Sequence, residues 1–309
     1  MILPIFLVLF LASCGGPEIL ELPELPGGAQ AISLTGDTLY PIPAAAEVQQ
    51  RRAEQLAEAM AAHEADPDDA DALIWLGRRQ AYLGQYRQAI HTFSQGIAAH
   101  PEDARMYRHR GHRFITVRMF DEAIADFQRA VELTAGQDDE VEPDGQPNAL
   151  NIPTSTLQFN IWYHLGLAQY LRADFENALA SYRECMGVSK NPDAIVATGH
   201  WLYMTLRRLG RDDEAAEVLE PISADMEIIE NDAYHQLLLM YKGEANPESL
   251  LGPEEDAVQS ATVAYGVGNW YFYNREETRG MEVFRSILAG EGWGAFGYIA
   301  AEAEVASAQ

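Results

Sequence analysis

One fixed interval recurs along this chain. Leu73-x2-Leu76-Gly77 is followed by Ala89-x3-Phe93, Tyr107-x2-Arg110-Gly111 by Ala123-x3-Phe127, and Trp162-x2-Leu165-Gly166 by Ala178-x3-Tyr182. The spacing from Gly77 to Ala89 is the same as from Gly111 to Ala123 and from Gly166 to Ala178. Tyr203 with Ala215-x3-Leu219 makes a degenerate fourth copy, and Gly268 with Gly280-x3-Phe284 a fifth, at the same interval. The whole first block, from Gly77 to Gly111, has the length of one helix-pair repeat. A repeat of this kind constrains the fold more than composition does, because each copy buries its apolar face only against the next. Within the blocks apolar residues recur at three- and four-residue spacing, with Gly or Pro between them, which predicts helices. Two antiparallel helices approach closely only where Gly or Ala removes a side chain. The large residue four positions after the Ala then fills the gap. The expected class is all-α.

These blocks resemble the tetratricopeptide repeat, W-x2-L-G-x2-Y, then A-x3-F, then P. Gln80, Phe114 and Gln169 stand in its Tyr slot, and Pro101 in its Pro slot. The resemblance implies a tetratricopeptide-repeat superhelix, an α-solenoid of about five helix pairs, over residues 44–309. Residues 44–65, ending at Asp66-Pro67, read as a capping helix, 231–243 as another helix, and 292–306 as a C-terminal cap. The step from Gly111 to Gly166 is much longer than the step from Gly77 to Gly111, so the stretch around 135–157 reads as a loop insertion on one face.

Positions 1–12 form an apolar run, which leads into Leu11-Ala12-Ser13-Cys14-Gly15. This has the shape of a secretory h-region, and LASC resembles the lipobox of bacterial lipoproteins. That resemblance implies a signal peptide over 1–13, cleavage before Cys14 and lipidation of its sulfur. No Lys or Arg precedes the run, a departure from the pattern. Several acyl chains hold a bilayer far better than one. Residues 14–43 carry Pro17, Pro23, Pro26, Pro41 and Pro43, and read as a flexible tether. The expected address is the bacterial cell envelope, on an outer membrane facing the periplasm.

Charge and motifs then exclude functions. The net charge of −26 opposes nucleic-acid binding, which needs clustered positive charge. Two cysteines cannot make a disulfide framework or a four-thiolate zinc site. No apolar run reaches the roughly 18 residues of a membrane span. G-x-S-x-G, H-E-x-x-H, the P-loop and the dinucleotide glycine fingerprint are all missing, so neither an enzyme, a cofactor nor a metal is expected. Cys185 reads as a buried inert thiol. His109 and His112 lie three apart among arginines that would repel a dication, and read as a solvated basic helix face. Glu140, Glu142, Asp144 and Gly145 partly match a calcium loop, but its twelfth position is Asn151, without the bidentate carboxylate.

Charge is also segregated. Residues 212–260 hold fourteen acids and one Lys, whereas 70–135 hold nine Arg and seven acids. Only Lys190 and Lys242 are lysines; an acidic, Lys-poor surface also suits salt adaptation. In the repeat family the first helix of each pair lines a concave groove. Carried onto this sequence, that implies Arg78 and Tyr82 from the first copy, and Arg105, Arg108 and His112 from the second. The third would give Asn160, Tyr163 and Tyr170, the fourth His200, Met204, Arg207 and Arg208, and the fifth Tyr265, Asn269, Phe272 and Tyr273. The family's carboxylate clamp needs a Lys that is missing here, so that ligand is not implied. Tyr and Arg dominate binding hot spots, so the leading expectation is a membrane-tethered scaffold that binds a protein or peptide in this groove, in envelope assembly or organisation. A small-ligand or oligosaccharide binder using Trp201, Trp270, Tyr271 and Trp293 is the alternative, marked by a closed pocket. A site at the insertion with His164 nearby is the third.

Overall fold

The computed structural model describes residues 22–251 and 257–308. The expected signal peptide over 1–13 and the lipidated Cys14 lie outside them. Among the described residues are fourteen helices and one two-stranded hairpin, β1 (Ala31–Ile32) and β2 (Thr38–Leu39). Five helix pairs build the array: α2 (Ala70–Tyr82) with α3 (Tyr86–Ala99), α4 (Ala104–Thr116) with α5 (Phe120–Thr134), α6 (Leu157–Leu171) with α7 (Phe175–Val188), α8 (Pro192–Arg208) with α9 (Asp212–Leu219), and α12 (Ala257–Tyr273) with α13 (Glu277–Leu288). Helix α1 (Ala46–Ala65) caps the first pair. Between the fourth and fifth pairs lie α10 (Asp232–Tyr241) and the short α11 (Pro247–Leu250), and α14 (Phe296–Ser307) closes the chain.

The predicted packing device is present. A Cβ on Gly77 would meet the Phe93 ring at 2.5 Å, and on Gly111 the Phe127 ring at 2.9 Å. The same contact would come at 2.8 Å from Gly166 to Tyr182 and at 2.7 Å from Gly268 to Phe284. In each case the second helix lays its aromatic ring on the bare backbone of the first. The Gln residues in the Tyr slot take a polar solution. Thr92 Oγ1 donates to Gln80 Oε1 at 2.8 Å, and Ser181 Oγ donates to Gln169 Oε1 at 2.7 Å, all of them buried.

The turns repeat as closely. At one fixed offset after each packing position a residue takes positive φ: Gly84, Arg118, Ala173, Gly210 and Arg275. The next residue then donates its N–H five positions back: Gln85 to Gln80, Met119 to Phe114, Asp174 to Gln169, Arg211 to Leu206, and Glu276 to Tyr271. This Schellman closure ends the first helix of every pair. The degenerate fourth and fifth copies are thereby placed in the same register as the others.

Two features close the array. Helix α14 packs on α12 and α13 as a cap should, and also reaches α6. Its Phe296 ring meets His112 and His164, and its Glu304 carboxylate accepts from Arg208 and Tyr265. Its Glu302 forms a buried pair with Arg118 in the α4–α5 turn at 2.6 Å, the side chains 1% and 3% exposed. The first and last parts of the array therefore meet.

Residues 22–43, expected as free tether, are bound to the body. Ala29, Ala31 and Leu39 are buried, and Leu34 N–H donates to Glu302. Trp293 Nε1 donates to Tyr40 O at 2.8 Å, and the backbone N–H of Arg87 to Gln30 Oε1 at 3.2 Å. Proline and glycine read as tether composition, but Thr35-Gly36-Asp37 makes a hairpin turn, with Gly36 at φ +99.

Candidate functional site

The first helices of the pairs do carry the residues expected in the groove, but in the last three copies those side chains are core. Asn160, Tyr163, Tyr170, His200, Tyr265 and Asn269 are buried. Tyr163 OH accepts from Trp201 Nε1 at 2.8 Å and lies 2.9 Å from Tyr234 OH. Tyr170 OH accepts from Asn269 Nδ2 at 2.7 Å and lies 3.0 Å from Tyr265 OH. Tyr241 OH lies 3.2 Å from His200 Nδ1. Met204 is buried and Phe272 packs on the core beside Phe284. Arg207 is held by Asp212, Tyr203 and Asn274, and lies over the Tyr273 ring; Arg208 is held by Glu304 and Asn269. The physical reason is curvature. With α10 and α14 packed against the first helices, the expected open surface becomes an interior. Of the proposed stacking faces, Trp201, Tyr271 and Trp293 are likewise buried, and Trp270 is partly buried against the core. Burial also pushes the Cys185 thiol up to about 12, which leaves it unreactive.

The insertion is ordered and lies over the first two pairs. Its neck is a single antiparallel bridge between Val141 and Thr156, in which Leu157 N–H donates to Glu140 O and Glu142 N–H to Ser155 O. Its far side is tied by Arg79 Nη1 to Gly145 O at 3.0 Å, by Arg52 Nη2 to Gln146 Oε1 at 3.0 Å, and by Asn148 and Thr154, which donate to Glu230. Asp193 holds the linker that presents Glu230 by accepting the backbone N–H groups of Ile229, Glu230 and Asn231.

Beneath the insertion the first two copies keep a cavity of about 220 Å³. Arg78 and Tyr82 of α2 and Arg108, His109, His112 and Arg113 of α4 form its walls, and Glu142–Asp144 with Pro153–Ser155 form its roof. Arg108 Nε lies 2.9 Å from Glu142 Oε2, both side chains 9% exposed. Asn160 Nδ2 donates to the same carboxylate, so Glu142 serves as an internal counter-ion and not as a calcium ligand. Arg105 is tied to Asp103 and Asp71 by ion pairs of 2.6 and 2.7 Å, and the Asp103 hydrogen bond holds its guanidinium above its usual range.

The histidines depart from the expected solvated face. His109 is buried and stacked on Phe93, and His112 lies against His164 and Phe296. Burial, reinforced by the nearby arginines, pushes both imidazoles well below their ordinary range, so both are neutral. Arg108 Nη1 sits 3.0 Å from His109 Nδ1. A guanidinium only donates, so Nδ1 accepts and the ring proton is on Nε2. Among the described residues no group of three or more His, Cys, Asp or Glu is placed to hold a metal ion.

Residues 159–192, spanning α6 and α7, match the tetratricopeptide repeat family. The other pairs reproduce that unit's glycine–aromatic contact or its turn, so the fold is a tetratricopeptide-repeat superhelix. Among solved structures, YrrB, described as a TPR protein with an unusual peptide-binding site, is 15% identical. The match covers 76% of this chain and 95% of YrrB, with a TM-score of 0.43. A crystal structure of MamA is 17% identical over 66% of this chain and all of MamA, with a TM-score of 0.43. The comparison with curated proteins found no match.

Proposed function

We propose that the chain is a membrane-tethered interaction scaffold whose protein partner docks on the insertion and the rim beside it, not in an open groove. One observation carries this reading. The insertion closes the first two copies and presents Val141, Leu150 and Ile152 to solvent at 60%, 64% and 48%, with Ile229 exposed beside Glu230, which the insertion grips. Aliphatic side chains held outward on an ordered loop favour association. Partly exposed Tyr82 and Arg105 lie toward the same end and supply the aromatic and basic contacts expected there. The lipobox at Cys14 would place this surface in the cell envelope. A reaction is not part of the proposal, because the buried histidines are neutral and the one described thiol is inert.

The test is recovery of a cross-linked partner from the native envelope, compared with a Leu150→Asp, Ile152→Asp variant. Both positions are exposed, so folding should survive. Recovery should fall at least tenfold; equal recovery removes the insertion from the docking surface. Cys14→Ser should release the protein from the membrane fraction, and unchanged fractionation would remove the anchor.

A further inference from the structure

The cavity beneath the insertion gathers three guanidiniums, of which only one has a carboxylate in ion-pair contact. Glu142 faces Arg108. Arg78, 9% exposed, donates through Nη2 to Tyr82 OH at 3.3 Å and lies over the Trp75 ring at 4.4 Å. Arg113 lies over the Tyr86 ring at 5.5 Å. Among the described residues neither Arg78 nor Arg113 makes an ion pair. The cavity is lined by two further carboxylates, both held by neutral donors: Asp144 accepts from Gln146 N–H of its own loop, and Glu230 from Asn148 and Thr154. Burial, and repulsion from Arg108 and Arg78, lower Arg113 to about 10, the response of a cation short of a counter-charge. Arginine stays protonated under such conditions, so the relief must come from an anion.

We infer that this cavity binds a compact oxyanion with two negative charges, a phosphate ester or a dicarboxylate of a small molecule, between Arg78 and Arg113. Guanidinium forks grip such oxygens in pairs. The hydroxyls of Tyr82 and Ser155 are the neutral donors around the same space. The volume lies below the roughly 300 Å³ at which drug-sized pockets begin, which suits a small head and not a folded peptide. The roof is fitted to this floor: a Cβ on Gly145 would collide with Tyr82 OH and come within 2.8 Å of Arg78 Nη2. Filling the cavity would join the roof to the floor and so fix the surface that the scaffold reading assigns to the partner. The anion site itself does not depend on that reading.

The test is calorimetric titration of the purified full chain with inorganic phosphate and with malonate, against chloride at matched ionic strength. Either dianion should bind once per chain and saturably. Arg78→Gln and Arg113→Gln should each weaken binding at least tenfold, while Arg129→Gln, on the exposed surface, should not. Tighter phosphate points to a phosphate ester, and tighter malonate to a dicarboxylate. Should the variants fail to fold, amide exchange on the unaltered chain decides: phosphate or malonate should slow exchange across 141–155 and chloride should not. Responses that follow ionic strength alone, or are equal in the variants, overturn the proposal. Partner recovery through Leu150 and Ile152 is read separately, so either idea can fail without the other.

Discussion

Removing Glu302 should open the molecule where its two ends meet. Its carboxylate accepts from Arg118 Nη2 at 2.6 Å and Nε at 3.2 Å, and also from Leu34 N–H. Arg118 in turn donates to Trp293 O at 2.9 Å and to Thr116 O. One acid thus holds the hairpin, the α4–α5 turn and α14 together. Glu302→Ala leaves a guanidinium only 3% exposed without its partner. Breaking a buried pair in this way costs about 3–5 kcal/mol, because the remaining charge stays desolvated. For a chain of this size that lowers the melting temperature by roughly 5–8 °C. Scanning calorimetry measures the loss, and limited proteolysis should show cleavage within residues 22–43. Arg279→Ala is the control: its pairs with Glu248 and Glu276 are solvent-exposed and screened, so their loss should scarcely move the transition. If Glu302→Ala costs no more than Arg279→Ala, or leaves 22–43 protected, the closure is not held as argued.

Two further outcomes follow from the same packing. Burial pushes His164 and His200 down to about 3, while an unfolded imidazole titrates near 6.5. Folding is therefore fully supported above about pH 6.5 and loses stability as the pH falls toward 3. Denaturant titration at pH 5 should show a loss of about 2 kcal/mol per histidine, and a His200→Gln variant with an undiminished slope would refute this. Ala173 takes φ +58 at the position where Gly84 and Gly210 stand in other copies, so Ala173→Gly should stabilise by roughly 0.5–1 kcal/mol. A lower melting temperature for that variant would show that the turn carries no such strain.

The array was legible because its determinants are local and repeated. Gly, Ala and an aromatic at fixed offsets specify how two neighbouring helices touch, and the touch depends on nothing distant. The left-handed turn position could have been found from Gly84 and Gly210, but Arg118, Ala173 and Arg275 mask it in the other copies. The groove was not legible. Tyr163, Tyr170 and Asn269 look the same in sequence whether they face solvent or α10, α12 and α14. That distinction depends on how far the superhelix curls. The basic patch of the first two copies was visible as charge, yet its internal counter-ion, Glu142, comes from an insertion beyond the end of the next helix. The 22–43 segment was misread because proline and glycine content outweighed the short alternation of Ala31 and Ser33 with Ile32 and Leu34.

The most direct test of a closed interior with an outward docking surface is site-specific photo-crosslinking in the native envelope. Probes replace Leu150 and Tyr82 at the insertion and its rim, and Tyr170 and Tyr265 in the interior. Partner adducts are predicted at Leu150 and Tyr82, with only intramolecular products at Tyr170 and Tyr265. A dominant partner adduct at Tyr170 or Tyr265, with none at Leu150, would mean that the concave face opens to receive its ligand, and the closed scaffold would be wrong.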